Sequence, residues 1–237
     1  GVRVLMITGD HPRSAIAIAR ELGIADANDT DAVTGAGLDL LDDTALRDLA
    51  ARRHVFARTS PEHKLKLVRA LKAGGAIVAM TGDGVNDAPA LRAADIGIAM
   101  GITGTDVSKD AADMVLADDN FASIVAAIEE GRSIYANIRK FLRYLLSTNL
   151  GEVLVLFLGV VLAAALGIGA DTGETLLLPL TATMVLWINL VTDSFPALAV
   201  GVDPLDRTLM RRPPRVASEG VISTRMWIGI GVASVVM

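Results

Sequence analysis

The sequence contains no cysteine. That excludes a disulfide framework, thiolate metal ligands and a thiol nucleophile, and it is compatible with a reducing compartment. Positive charge is not in excess either. The formal net charge is -5, so no basic surface points to nucleic acid. No signal-peptide pattern is visible at the start, where Gly1-Val2-Arg3 leads straight into a strand-like run. That start, and an end inside the apolar run from Trp227 to Met237, predict a piece of a longer protein.

Apolar residues are abundant, at 52% of 237, but unevenly placed. Residues 1–148 mix charged and apolar positions as a globular domain does, residues 150–202 are mostly apolar, and a third apolar run starts near Val221. The length suits one or two domains.

The first part alternates between two periodicities. Val4-Leu5-Met6-Ile7 is a short apolar run closed by Thr8-Gly9-Asp10, which reads as a buried parallel strand and its turn. Pro12 to Leu22 reads as a helix, with Pro near its first turn and Gly23 ending it. The unit repeats at Ala76–Met80 and Thr81-Gly82-Asp83-Gly84, with a helix opening near Asp87-Ala88-Pro89. Ile96–Met100 and Met114–Ala117 read as two more strands, and Ser60 as the N-cap of a helix reaching about Lys72. Such alternation implies an α/β domain with a mostly parallel sheet, whose ligands sit at the carboxyl ends of the strands. Both Gly-Asp turns fall at that edge.

The second part reads as membrane. From Leu150 to Ala170 the only charge is Glu152, and from about Leu176 to Val202 it is Asp193. Each run has the length a bilayer-spanning helix needs, about 20 residues. Arg132, Arg139, Lys140 and Arg143 precede the first, and Arg207, Arg211, Arg212 and Arg215 follow the second. Residues 171–175 between them carry Asp171 and Glu174 but no Lys or Arg. The positive-inside rule then puts residues 1–148 and 203–222 in the cytoplasm, where ATP is. Two core helices of a large soluble protein would lack this charge asymmetry.

Asp83-Gly84-Val85-Asn86-Asp87 puts two carboxylates around a glycine at a strand end. Carboxylates there suit Mg²⁺, which is commonly held by one or two of them plus phosphate. Gly82 and Gly84 permit close backbone approach to a phosphate. Thr8 and Gly9 offer a hydroxyl and an N–H to phosphate oxygens, and Lys64 a positive charge. Within the membrane runs, Asn149 and Glu152 share one helix face, as do Asn189, Thr192 and Asp193. A carboxylate at membrane depth is costly and by default functional. These are hard oxygen ligands, suited to Ca²⁺ more than to a soft metal. Pro196 lacks an N–H and frees carbonyls as further ligands.

The string Thr81-Gly82-Asp83-Gly84-Val85-Asn86-Asp87-Ala88-Pro89-Ala90 resembles the hinge signature of P-type ATPases, within the haloacid dehalogenase-like superfamily. Met6-Ile7-Thr8-Gly9-Asp10 resembles the family's second phosphate motif. Phe56-Ala57-Arg58 through Pro61, His63 and Lys64 resembles the segment bearing its phosphate-binding lysine, and Met114–Phe121 also fits. The resemblance implies a Rossmann-like cytoplasmic domain followed by transmembrane helices. It implies Mg²⁺ on Asp83, phosphoryl contacts from Thr8 and Gly9, and charge neutralisation by Lys64. Asn86 and Asp87 complete the pocket, and Asp10 and Arg58 join the phosphate- and nucleotide-binding set. It further implies an ATP-driven cycle through an aspartyl phosphate, which splits hydrolysis into two steps.

Ser147–Val153 and Trp187–Asp193 resemble calcium pumps of the sarcoplasmic-reticulum type, as does Arg211-Arg212-Pro213-Pro214-Arg215. The transported cation is then Ca²⁺, with Asn149, Glu152, Asn189, Thr192 and Asp193 as its ligands. Mn²⁺ or a monovalent cation stays open. By the same resemblance, residues 1–130 are the C-terminal part of the phosphorylation domain. Residues 131–222 are the stalk and the family's transmembrane helices 5 and 6, and residues 223–237 start helix 7. The stretch Ile124 to Tyr144 is the rod between phosphate chemistry and ion site; about 20 helical residues span roughly 30 Å. Partners would be the lipid bilayer and the rest of the pump: the actuator and nucleotide-binding domains and the family's helices 1–4 and 8–10. The expected setting is a multi-pass protein of a bacterial-type plasma membrane.

Two strings are set aside. Thr103-Gly104-Thr105 is like part of the family's phosphorylation sequence Asp-Lys-Thr-Gly-Thr, but Gly101-Ile102 stands where Asp-Lys should be. Thr172-Gly173-Glu174 is like the actuator loop but lies between the two spans. The phosphorylated aspartate is not in this sequence. In the family its strand lies between those at residues 4–7 and 76–80, so a gap is expected there, and the chain alone should form no phosphoenzyme. The rival readings are a soluble phosphatase of the same superfamily and a catalytically dead membrane remnant.

Overall fold

The computed structural model describes residues 2–25, 31–166, 180–204, 206–215 and 219–236. The chain divides into two units, Gly1–Ile124 and Val125–Met237.

In the first unit, β1 (Met6–Ile7) is followed by α1 (Pro12–Glu21). Pro12 sits in the first turn, where a missing N–H leaves no bond unmade. His11 caps the helix by accepting from the Arg13 N–H at 3.3 Å. Ala15 and Ala19, one turn apart, are fully buried against Val55 and Ala57. Gly23 ends the helix at φ +68°, a conformation glycine adopts without strain. Next come β2 (Val33–Thr34), α2 (Gly35–Asp39), α3 (Asp43–Arg52), β3 (Val55–Ala57) and α4 (Pro61–Ala73). The three strands form a parallel sheet ordered β1-β3-β2, with Ile7 and Val33 both beside Phe56. All three β3 residues are buried, as in a parallel strand covered on both faces.

The second sheet is built from β4 (Ala79–Gly82), β5 (Ile96–Met100) and β6 (Met114–Leu116), parallel and in that order. Helices α5 (Ala88–Ala93) and α6 (Asp106–Ala111) connect them. Helix α4 serves both sheets. Its Leu67 packs in the core of Leu38, Leu46 and Phe56, while its next residue, Val68, packs with Met80, Ala90 and Leu91. Burying each of these larger side chains stabilises the fold by roughly 1.5–3 kcal/mol.

Most expected elements are present, with small shifts. The strand expected at residues 4–7 is paired only over Met6–Ile7, and that at 76–80 is β4, Ala79–Gly82. Three differences stand out. The strands form two sheets rather than one. β1 and β4, between which the family places the aspartate-bearing strand, belong to different sheets. Elements β2, α2 and α3 were not anticipated. Their sequence is short and rich in Asp and Ala, and lacks the long apolar runs that announce the other elements.

The second unit contains most of α7 (Ala122–Ala165), then α8 (Ala182–Gly201), a 3-10 turn (Arg207–Arg211) and α9 (Thr224–Val236). Helices α7 and α8 are long and apolar enough to cross a membrane. Only 11% and 0% of their most apolar stretches are buried, unlike the core helices of a soluble protein. Helix α8 starts at Ala182, capped by Thr181, and runs through Pro196 without ending. Leu176–Pro179, Asp171 and the Thr172-Gly173-Glu174 string lie outside the described residues. Arg132 donates to the Leu209 and Arg212 carbonyls at 2.8 and 3.0 Å. Lys140 pairs with Asp203, and Arg215 stacks 4.9 Å over the Tyr135 ring. The basic residues of α7 thus hold the segment after α8.

Candidate functional site

Two clusters of sequence-selected residues are described, one in each unit. The first has two parts, the turn after β4 and the turns after β1 and β3. The β4 strand delivers Gly82 and Asp83, and the following 3-10 turn (Val85–Asp87) folds Asp87 back onto them. The Asp87 Oδ2 accepts from the Asp83 and Gly84 N–H groups at 3.3 and 3.2 Å. Its Oδ1 accepts from Lys64 Nζ at 2.5 Å. This approach requires glycine at position 82, because a Cβ there would stand 2.5 Å from the Asp87 Cβ.

The structure therefore divides the expected carboxylate pair. Asp87 is buried and bonded to its own turn and to Lys64, whereas Asp83 is exposed. Asp83 is the carboxylate open to a metal, with Asp87 as the anchor that fixes the turn. Among the described residues no group of three or more His, Cys, Asp or Glu side chains gathers as a metal cluster. One carboxylate plus phosphate oxygens still fits the coordination habits of Mg²⁺.

Lys64 is aimed by the start of α4. Ser60 Oγ accepts from the His63 N–H at 3.4 Å, and His63 Nδ1 accepts from the Ser60 N–H at 2.9 Å, a reciprocal capping box. The other His63 nitrogen lies 2.9 Å from Asp39 Oδ1. That hydrogen bond, with the nearby imidazole, holds the Asp39 carboxyl below its ordinary range.

The Thr8-Gly9-Asp10 turn is closed on itself. The Thr8 hydroxyl donates to Asp10 Oδ2 at 3.0 Å and accepts from the Asp10 N–H at 3.1 Å. The turn is tied to the loop before α4. The Thr59 N–H and hydroxyl reach the Thr8 carbonyl at 3.1 and 3.0 Å, and the Arg58 N–H reaches the Asp10 carbonyl at 3.0 Å. Arg58 adopts φ +49° to do so. Arg58 and Asn86 are both exposed. Hydrogen bonds join Lys64, Asp83, Gly84 and Asp87 directly; Thr8, Asp10 and Arg58 form a separate knot leading into the same helix.

The second cluster lies between α7 and α8. Thr148 Oγ1 lies 3.3 Å from Asp193 Oδ1, and Thr192 Oγ1 lies 3.5 Å from the same oxygen. Glu152, half-buried, is one turn beyond Thr148 and so shares its face. Asn149 and Asn189 each donate their amide to the carbonyl one turn back, Leu145 at 2.8 Å and Val185 at 3.1 Å. That leaves the amide oxygens as acceptors. The Asn189 Oδ1 is buried and, among the described residues, without a hydrogen-bond partner. Tyr144 adds a cross-helix bond, its hydroxyl donating to the Thr192 carbonyl at 2.7 Å. Tyr144 and Thr148 were missed as site residues. The row Tyr144, Thr148, Glu152 at four-residue spacing was the signal for them.

Comparison with known proteins covers most of the chain. A family model described as "Cation transporting ATPase, C-terminus" matches residues 177–237. A second, described as "haloacid dehalogenase-like hydrolase", matches residues 1–95. Calcium-transporting ATPase 1 of Bacillus cereus is 54% identical over 94% of this chain. The chain belongs to the P-type cation-transporting ATPases. Calcium-transporting ATPase of Bacillus subtilis is 50% identical over 95% of the chain. P-type sodium-transporting ATPase4 of Toxoplasma gondii is 46% identical over 96% of it. The chain spans 24%, 24% and 17% of the lengths of these three P-type ATPases.

Proposed function

We propose that this chain supplies the phosphate-handling edge and two intramembrane helices of an ATP-driven cation pump that transports Ca²⁺. ATP hydrolysis proceeds through an aspartyl phosphate whose aspartate lies in a segment outside this chain. The proteins named as calcium-transporting among its relatives support the ion. Residues 1–148 face the cytoplasm in this reading, because basic residues flank the two spans on one side. The setting is a multi-pass protein of a bacterial-type plasma membrane, with the bilayer and the remaining pump domains as partners.

One observation carries the cation site: the buried Asn189 Oδ1, unpartnered among the described residues, on the same face of α8 as Asp193. A buried acceptor without a donor costs about 1–3 kcal/mol unless a ligand takes it. Around it stand the Asp193 carboxylate and the Thr148 and Thr192 hydroxyls, with Glu152 and Asn149 on α7. This is a set of hard oxygens and fits Ca²⁺.

At the phosphate edge, Lys64 brings a positive charge to the Asp83–Gly84 turn, held there by Asp87. Asp83 holds Mg²⁺, and Thr8, Gly9 and Asp10 close the phosphate side, with Arg58 and Asn86 toward the nucleotide. Mg²⁺, when bound, supplies the positive charge that ties phosphoryl oxygens to Asp83.

The test is direct Ca²⁺ binding to the complete pump. Asn189→Ala, Glu152→Gln and Asp193→Asn are each expected to lower affinity at least tenfold. Wild-type binding in all three would refute the site. The relative named as sodium-transporting favours a second reading, a monovalent cation at the same oxygens. Na⁺-dependent phosphorylation without a Ca²⁺ requirement would decide for it.

A further inference from the structure

The loop after β5 carries Thr103-Gly104-Thr105, the string that is only a likeness of a phosphorylation sequence. Its backbone is tightly constrained. A Cβ on Gly101 would stand 2.5 Å from the Leu116 carbonyl, and one on Gly104 would stand 2.0 Å from the Met100 carbonyl. The Asp119 carboxylate accepts from three successive backbone N–H groups: Gly101 at 2.6 Å, Ile102 at 3.0 Å and Thr103 at 2.8 Å. The Thr103 hydroxyl adds a fourth bond at 2.8 Å. Only a carboxylate has enough acceptor positions for such a set. Asp119 itself adopts φ +50°, a strained value for a non-glycine that persists where surrounding bonds over-determine it.

The far end of the loop reaches Asp83. The Thr105 N–H donates to the Asp83 carbonyl at 2.9 Å. The Ser108 hydroxyl, fully buried, lies 3.0 Å from the same carbonyl and 2.8 Å from that of Thr105. Its single proton is shared between the two. On its other side, the Asp83 N–H is taken by Asp87. Hydrogen bonds thus hold the Asp83 main chain at both its N–H and its carbonyl, and the residue is left exposed.

We propose that Asp119 and Ser108 are positioning residues for the Asp83 carboxylate. Asp119 sets the loop from Gly101 to Thr103, and Thr105 and Ser108 transmit that setting to the β4 end. The inference rests on Asp83 as the Mg²⁺ ligand.

The test uses the complete pump with Asp119→Ala or Ser108→Ala. Amide hydrogen exchange without Mg²⁺ is followed in peptides covering residues 79–87 and 101–105. In parallel, the Mg²⁺ concentration for half-maximal phosphorylation from inorganic phosphate is measured. Each variant should speed exchange about tenfold in both peptides, since charge-assisted and buried bonds are lost. Each should raise the Mg²⁺ requirement about fivefold and leave half-saturation by Ca²⁺ unchanged. Faster exchange confined to residues 101–105, with a wild-type Mg²⁺ requirement, would overturn the proposal. If Asp119→Ala does not fold, Ser108→Ala decides alone, because Ser108 touches the Asp83 carbonyl directly. Asp83→Asn separates the two layers. A wild-type Mg²⁺ requirement in that variant removes the Mg²⁺ reading of Asp83, and exchange at residues 79–87 then decides the positioning.

Discussion

The Tyr144 hydroxyl donates to the Thr192 carbonyl at 2.7 Å, and Thr192 stands four residues before Pro196. In an α-helix that carbonyl would accept from the N–H of residue 196, which proline lacks. Tyr144 on α7 supplies the missing donor, and α8 continues to Gly201. Pro196 was expected to free carbonyls as cation ligands; in this structure the one it frees is already taken.

This pairing predicts a coupling. Tyr144→Phe should cost about 1 kcal/mol, the loss of one partly buried hydrogen bond. In a Pro196→Ala background the helix makes its own bond, and the same change should cost much less. A double-mutant cycle on denaturation of the detergent-solubilised pump should give a coupling of about 1 kcal/mol. Strict additivity would show that Tyr144 does not compensate for the proline.

The Lys64–Asp87 pair makes a second prediction. Asp87 is 4% exposed and the Lys64 side chain 20%. Removing either partner leaves a poorly hydrated charge, so Lys64→Met or Asp87→Leu should each destabilise the first unit by about 3 kcal/mol. Gly82→Ala pushes a methyl group against Asp87 and should cost roughly 1–3 kcal/mol. Urea titration followed by limited proteolysis measures all three. A Gly82→Ala midpoint equal to wild type would contradict the close approach.

Acid should loosen the loop after β5. The Ile102 N–H, followed by the Thr103 N–H and hydroxyl and the Gly101 N–H, lowers the Asp119 pKa from 3.8 to about 2. A depressed folded-state pKa means a stability contribution complete above the unfolded value, and lost as pH falls through 3.8 toward about 2. Unfolding midpoints measured between about pH 5 and about pH 2 should fall less steeply in Asp119→Asn than in wild type. Parallel pH profiles would mean that Asp119 does not titrate with the fold.

Much of the first unit was legible from strand runs ending in Gly-Asp turns, because buried parallel strands and tight turns each impose their own composition. Ser60 as N-cap and Gly23 as helix stop followed from local rules and are found. The inward turn of Asp87 was not legible. It depends on Lys64, 23 residues away, and on space that only Gly82 leaves. Asp119 was hidden for the same reason: its partners lie 16 to 18 residues earlier, and nothing local marks a carboxylate as a clamp. In the membrane part, Glu152 and Asp193 declared themselves as lone charges in apolar runs. Tyr144 and Thr148 did not, since a hydroxyl costs little there and carries no charge.

Separating the two sites in one experiment tests the pump assignment most directly. In the complete pump, Asp193→Asn should lose Ca²⁺-dependent phosphorylation from ATP yet still be phosphorylated by inorganic phosphate with Mg²⁺. Asp83→Asn should lose both. If Asp193→Asn keeps wild-type Ca²⁺ dependence, or Asp83→Asn keeps its phosphorylation, the chain does not join a cation site to a phosphate site as proposed.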